Sequence, residues 1–190
     1  MSYTLIRLVG TGMYKGEYRK TNYVFPDGQK HETSIFVEAL RKAKYRDFSK
    51  IILVGTVTSG WDMLLVEDNT IESFWYEIWK AREENKALTE QHFSDLEKIL
   101  SEKYGVPVII KKHTDIIDND SSVAIYDTYN SIVENIEDEN ILFDITHGFR
   151  SMPVLLFQAI QYSISSNPKI KNVELVYGEY IGSEKLSYVR

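Results

Sequence analysis

The chain has 190 residues, 43% of them apolar and 26% charged, with no cysteine and a net charge of −6 from 22 Lys and Arg against 28 Asp and Glu. These totals describe one globular domain with a substantial core, exclude disulfides and thiolate metal sites, and agree with a cytoplasmic location. The acidic balance argues against a protein that grips long nucleic acid by its backbone, yet leaves room for a small anion held in a local pocket.

The predicted elements alternate in type. YTLIRLVG (3–10) is a buried strand that ends in a glycine loop. TNYVF (21–25), a Pro-Asp-Gly turn and QKHET form a small hairpin. SIFVEALRKAKY (34–45) has Ile35, Phe36, Ala39, Leu40 and Ala43 at helical spacing. KIILVGT (50–56) is a short β-branched run typical of a central parallel strand. Residues 70–104 are helical by pattern, with a break near Ala87-Leu88-Thr89 and Thr89 as the N-cap of the second part. Gly105 and Pro107 end it. VPVIIKKH (106–113) is a strand, DNDSS (118–122) caps a helix to about Ile136, and NILFDIT (140–146) is the next strand. Residues 153–166 follow as a helix with Pro153 in its first turn. VELVYGEY (173–180) is a further strand, and EKLSYVR returns beside it. This order predicts an α/β fold: a Rossmann-like, doubly wound, mostly parallel sheet with helices on both faces and a C-terminal antiparallel hairpin. No apolar run approaches the ~20 residues that cross a membrane, and the N-terminal run is too short for a signal peptide.

Ligands of doubly wound sheets sit beyond the carboxyl ends of the strands, so the loops that follow strands carry the functional information. Three of these are rich in Gly, Thr and Ser: Gly10-Thr11-Gly12, then Gly55 to Gly60 with Thr56, Thr58 and Ser59, then His147-Gly148-Phe149-Arg150-Ser151. Glycine lets backbone approach a ligand, hydroxyls donate hydrogen bonds, and a following helix offers free N–H groups, a combination that suits phosphate. Each loop alone also reads as a turn. Arg150, beside a glycine and just before a helix, suits bidentate anion binding or a surface salt bridge. His147 is either a ligand-facing group or a histidine bonded to a nearby carbonyl. Phe149 reads as an anchor for its loop, and Asp144, inside an apolar strand, as a cap for nearby loop N–H groups. Trp61 is a candidate for the pocket border. The basic and aromatic segment Tyr14 to Lys20 is either an arm over the ligand or a solvated hairpin, and Phe74, Trp75, Tyr76 and Trp79 form a core or packing face.

Other chemistries lack support. The first loop misses the dinucleotide-binding spacing and the Walker G-K-[ST], which disfavours a nucleotide-binding oxidoreductase domain. The histidines at 31, 92, 113 and 147 show no metal spacing, there is no G-x-S-x-G elbow, and no arginine is followed by a histidine at the R-x4–6-H spacing of one ribonuclease class. No metal and no cofactor is expected.

LVGTGMYKGEYRKTNYVF, IILVGTVTSGWDML and above all FDITHGFRSMP resemble the CRISPR-associated Rossmann fold (CARF) family, in the branch found in type III CRISPR ancillary ribonucleases. The resemblance spans essentially the whole chain, so residues 1–190 are expected to be one such domain without an effector domain. It implies a two-fold homodimer that binds cyclic oligoadenylate in antiviral signalling, with cyclic tetra-adenylate favoured over hexa-adenylate. Carried over by motif, Gly10, Thr11 and Gly12 line the first loop, Thr56 and Ser59 the second, and His147, Gly148, Phe149 and Arg150 the third. Two outcomes remain open: a sensor that passes a shape change to an effector domain missing here, or a stand-alone ring nuclease. Cleavage would be metal-independent attack of a ribose 2′-OH on its own phosphate, giving a 2′,3′-cyclic phosphate. In that case Thr11, His147 and Arg150 are the catalytic candidates, with Lys15 a further proton or charge donor. A plain interaction domain built on the Trp75–Trp79 face is the reading from another class.

Overall fold

The computed structural model describes residues 1–10, 13–14, 17–18, 20–66, 71–84, 86–113, 123–124, 127–128, 130, 132, 136–137, 140–146, 152–181 and 186–190. In chain order the strands are β1 (Ser2–Leu8), β2 (Met13–Tyr14), β3 (Glu17–Tyr18), β4 (Thr21–Val24), β5 (Lys30–Thr33), β6 (Asp47–Gly55), β7 (Val108–Lys112), β8 (Asn140–Asp144), β9 (Asn172–Val176), β10 (Gly178–Ile181) and β11 (Leu186–Val189). The helices are α1 (Phe36–Lys42), α2 (Glu72–Glu83), α3 (Glu90–Tyr104) and α4 (Met152–Ser166), with a 3₁₀ turn over Trp61–Leu65.

Five strands make a parallel sheet in the order β7-β6-β1-β8-β9. The inner strands are mostly apolar because both faces are covered, with Thr4 and Arg7 on β1 and Asp144 on β8 as buried polar exceptions. Tyr3, Leu5 and Val9, Ile51 and Leu53, and Leu142 face one core, which α1 and α3 close with Phe36, Leu40, Phe93, Leu96 and Leu100. Ile6 and Leu8, Ile52 and Val54, and Ile141 and Phe143 face the other, closed by Leu156, Ala159 and Ile160 of α4 and by Ile132 and Ile136. The helix expected over 118–136 lies largely outside the described residues.

The chain starts in the centre, moves outward through β6 and β7, then crosses to β8 and β9 on the other side of β1. The direction of winding therefore reverses between β1 and β8, and that switch point is where such folds open a ligand crevice. α3 begins where expected: Thr89 Oγ1 accepts the His92 N–H at 3.4 Å, and His92 Nδ1 accepts the Thr89 N–H at 2.9 Å. It ends at Gly105, whose φ of 68° is left-handed.

A second sheet has the order β10-β11-β4-β5. β4 and β5 are the expected hairpin, turned at Gly28 with φ 86°. β10 and β11 are the expected C-terminal antiparallel pair, and β11 runs parallel to β4. The C-terminal strand boundary differs from the sequence expectation. The single strand expected over 173–180 is two strands: β9 ends at Val176, and the chain passes into the second sheet at Gly178. Its apolar and polar pattern runs through both, so periodicity alone does not show the change of sheet. Met13 pairs antiparallel with Tyr18 and Tyr14 with Glu17.

Candidate functional site

All five parallel strands end at one edge, where Gly10, the Gly55–Gly60 loop and the end of β8 lie. The first two are joined directly. β1 runs on through Val9, whose N–H donates to Val54 O at 2.7 Å, and the Gly60 N–H donates to Gly10 O at 2.8 Å. Gly10 is buried. Thr11, Gly12, Lys15, His147, Gly148, Phe149 and Arg150 lie outside the described residues. The residues that precede the third loop in sequence, Asp144, Ile145 and Thr146, stand at the end of the strand beside β1.

The β6 loop is a compact hydroxyl-rich turn. Ser59 Oγ accepts the Thr56 N–H at 2.9 Å, Thr56 Oγ1 lies 3.0 Å from Thr58 Oγ1, and the Ser59 N–H donates to Thr56 O at 3.2 Å. Thr56 and Ser59 are buried, and only Thr58 of the three is on the outer side. Two of the hydroxyls expected on a ligand thus shape the loop in this state. Trp61 is fully buried and donates its indole N–H to Thr56 O at 2.8 Å, so it anchors the loop from below rather than bordering the pocket. Below it Phe93 meets the indole edge-on at 5.5 Å. Asp62 is also fully buried and holds Arg82 of α2 at 2.7 Å, tying the loop to that helix.

Gly55 has no room for a side chain. A Cβ there would stand 2.8 Å from Ser59 Oγ and 2.9 Å from the Trp61 ring. Gly55→Ala is expected to lower stability by about 1–3 kcal/mol through overpacking, read as a lower urea midpoint at unchanged m-value. Behind the loop, Thr58, Ser59, Arg82 and Lys86 border a cavity of about 50 Å³, room for a few waters and far too little for a nucleotide.

At the switch point sits a charged pair that the loop motifs did not single out. Arg7 and Asp144 are register partners on β1 and β8, both fully buried, with Arg7 Nε 3.7 Å from Asp144 Oδ2. Asp144 Oδ1 accepts the Thr146 N–H at 2.8 Å, the capping role expected for this aspartate. Thr146 Oγ1 in turn accepts the Gly178 N–H at 3.0 Å. Burial pushes the Asp144 carboxyl above the ordinary carboxylate range, against the opposing pull of Arg7 and of the Thr146 bond. The signal was in the sequence: an arginine within TLIRLV and an aspartate within ILFDI are charges inside apolar strands.

Among the described residues no group of His, Asp and Glu is placed to hold a metal ion, and no helix is long and apolar enough to cross a membrane. On α2, Trp75 and Trp79 stack at 5.9 Å, and Trp75 packs on the core while Tyr76 is exposed.

The central parallel sheet, its switch point and its glycine- and hydroxyl-rich loops define a Rossmann-like α/β domain with one loop-bearing edge. Residues 4–184 match the family described as CRISPR system endoribonuclease Csx1, CARF domain, and the chain belongs to that family of CRISPR-associated sensor domains. A relative, CRISPR-associated protein MJ1674 of Methanocaldococcus jannaschii, is 28% identical over 184 residues, covering 86% of this chain and 28% of the relative. The chain thus spans little more than a quarter of the length of the curated relative it matches.

Proposed function

We propose that the chain senses cyclic oligoadenylate in type III CRISPR signalling, as a homodimer whose loop-bearing edges close on one ring. The observation that carries this reading is the meeting of the Gly10 and Gly60 loops beside the end of β8, in a chain of the CARF family. The loops would hold phosphates with backbone N–H groups, Thr and Ser hydroxyls and Arg150. The candidate ligand residues are Gly10, Thr11, Gly12, Lys15, Thr56, Thr58, Ser59, His147, Gly148, Phe149 and Arg150. Cyclic tetra-adenylate is the favoured ring. Its two-fold symmetry matches a two-fold dimer, in which each loop is used twice.

Helix α4 supports the dimer. Its 15 residues include no charged side chain. Leu156, Ala159 and Ile160 face the core, yet Val154 and Tyr162 are each 58% exposed and Phe157 38%. On a helical wheel these three share one arc with Gln158 and Gln161. An uncharged outer face of this kind suits a second protein surface better than water. In sequence, α4 begins directly after the third loop. Phe157→Glu with Tyr162→Glu is expected to halve the mass measured by light scattering and to weaken ring binding with it. An unchanged dimer would place the interface elsewhere.

Radiolabelled cyclic tetra- and hexa-adenylate incubated with the protein in EDTA test the ligand and its fate together. A native gel shift with the ring intact on a denaturing gel is the expected result. Conversion to linear fragments with 2′,3′-cyclic phosphate ends would make the same pocket a ring nuclease, with Thr11, His147 and Arg150 as the residues to replace. No shift with either ring would refute the ligand.

A further inference from the structure

We infer that Arg7 is a positioning residue for Thr146, the residue that leads into the third loop, acting through Asp144, and that Thr146 in turn ties this point of the chain to the second sheet through Gly178. This rests on the reading that residues 147–150 hold ligand.

Arg7 Nε, Nη1 and Nη2 and Asp144 Oδ2 have no hydrogen-bond partner among the described residues, and both side chains are fully buried. At 3.7 Å the charges attract without a direct hydrogen bond. Buried ion pairs of this quality add little to stability, and apolar residues of similar volume often replace them without loss. A leucine on each strand would extend the core of Leu5, Leu53 and Leu142 on the same face. The pair is better explained by what Asp144 holds.

Its second oxygen fixes the Thr146 N–H, and Thr146 is the residue immediately before His147. The Thr146 hydroxyl then fixes the Gly178 N–H, at the point where the chain leaves the parallel sheet and enters β10. Gly178 leaves no slack: a Cβ there would lie 2.9 Å from the Tyr23 ring on β4 and 3.2 Å from Thr146 Cγ2. Arg7 keeps the Asp144 carboxylate facing β1, where it meets no other cation among the described residues. One short series of contacts thus connects β1, β8, the root of the third loop and the second sheet. A shift of Thr146 on ligand binding would reach the Gly178 amide through a single hydrogen bond.

Three proteins test this against wild type: Thr146→Val, Thr146→Ser, and the double variant Arg7→Met with Asp144→Leu. Two readouts are taken, the affinity for cyclic tetra-adenylate and amide hydrogen exchange of the peptide covering 145–152, with thermal melting as the check on folding. Thr146→Ser keeps the hydroxyl and should match wild type in both. Thr146→Val and the double variant should lose about tenfold or more in affinity and exchange about tenfold faster in that peptide, the size expected for losing a buried hydrogen bond. The double variant should do so while melting no lower than wild type. A double variant that folds, binds as wild type and exchanges as wild type would overturn the inference. Should the double variant fail to fold, Arg7→Met alone carries the test of the pair, with wild-type affinity and exchange overturning it, while Thr146→Val against Thr146→Ser tests the Gly178 bond. If wild type binds neither ring, the ligand reading fails, and the exchange data still decide the positioning role: faster exchange upholds it and unchanged exchange overturns it.

Discussion

Replacing Asp144 by alanine is expected to lower unfolding free energy by about 3–5 kcal/mol, because it leaves the Arg7 guanidinium buried without a counter-charge. Arginine cannot escape by losing its proton. The same substitution strips the Thr146 N–H of its acceptor. Single domains are stable by only about 5–15 kcal/mol, so this one change removes a large share. In a chain of this length it should lower the melting temperature by roughly 10 °C. The reverse substitution, Arg7→Met, should cost less. Its orphaned partner can take up a proton, and burial already favours the neutral carboxyl. The pH dependence follows in sign. In Arg7→Met the folded state holds the Asp144 proton more tightly than the unfolded state does. The group's contribution is then full below the unfolded pKa and falls as pH rises through the raised folded one. Urea unfolding of Arg7→Met across acid to neutral pH should show stability falling relative to wild type as pH rises. A variant that tracks wild type would place Asp144 in contact with water or another cation.

Replacing Arg150 by alanine should abolish tight ring binding. A hydrogen bond to a charged group contributes about 1.5–3 kcal/mol, and a two-fold dimer would lose it twice. The expected loss is therefore about a hundredfold to ten-thousandfold in affinity. Arg150→Lys should fall between the two, since lysine keeps the charge but not the planar fork that meets two phosphate oxygens at once. Titration of all three proteins with cyclic tetra-adenylate at one salt concentration checks this. Equal affinity of Arg150→Ala and wild type would remove the arginine from the site.

The architecture was legible wherever the local signal and the tertiary environment agree. KIILVG and NILFD are mostly apolar because helices cover both faces of the inner strands, and both fold as parallel strands. Thr89 capped its helix as its side chain suggests, though the reciprocal partner is His92 rather than the acidic or amide neighbour that usually fills that role. The break at Tyr177 was not legible, because one apolar pattern serves two sheets whose difference is only in the pairing partner. In the loop after β6, the turn was recognisable from composition, but the direction of its hydroxyls was not. Thr56 and Ser59 read as ligand groups, yet they bond within the turn and lie buried under it. Trp61 follows from the same fact: composition places an indole next to the loop, and only packing shows it beneath. Arg7 and Asp144 were each visible as a charge in an apolar strand. Their pairing required the strand order, since 137 positions of chain separate the two neighbours in register.

The most direct test of the account is a calorimetric titration of the protein with cyclic tetra-adenylate in EDTA, with the mass of the complex measured by light scattering. The account predicts saturation at one ring for every two chains, on a complex with the mass of a dimer. Saturation at one ring per chain on a monomer, or no heat with either tetra- or hexa-adenylate, would contradict it.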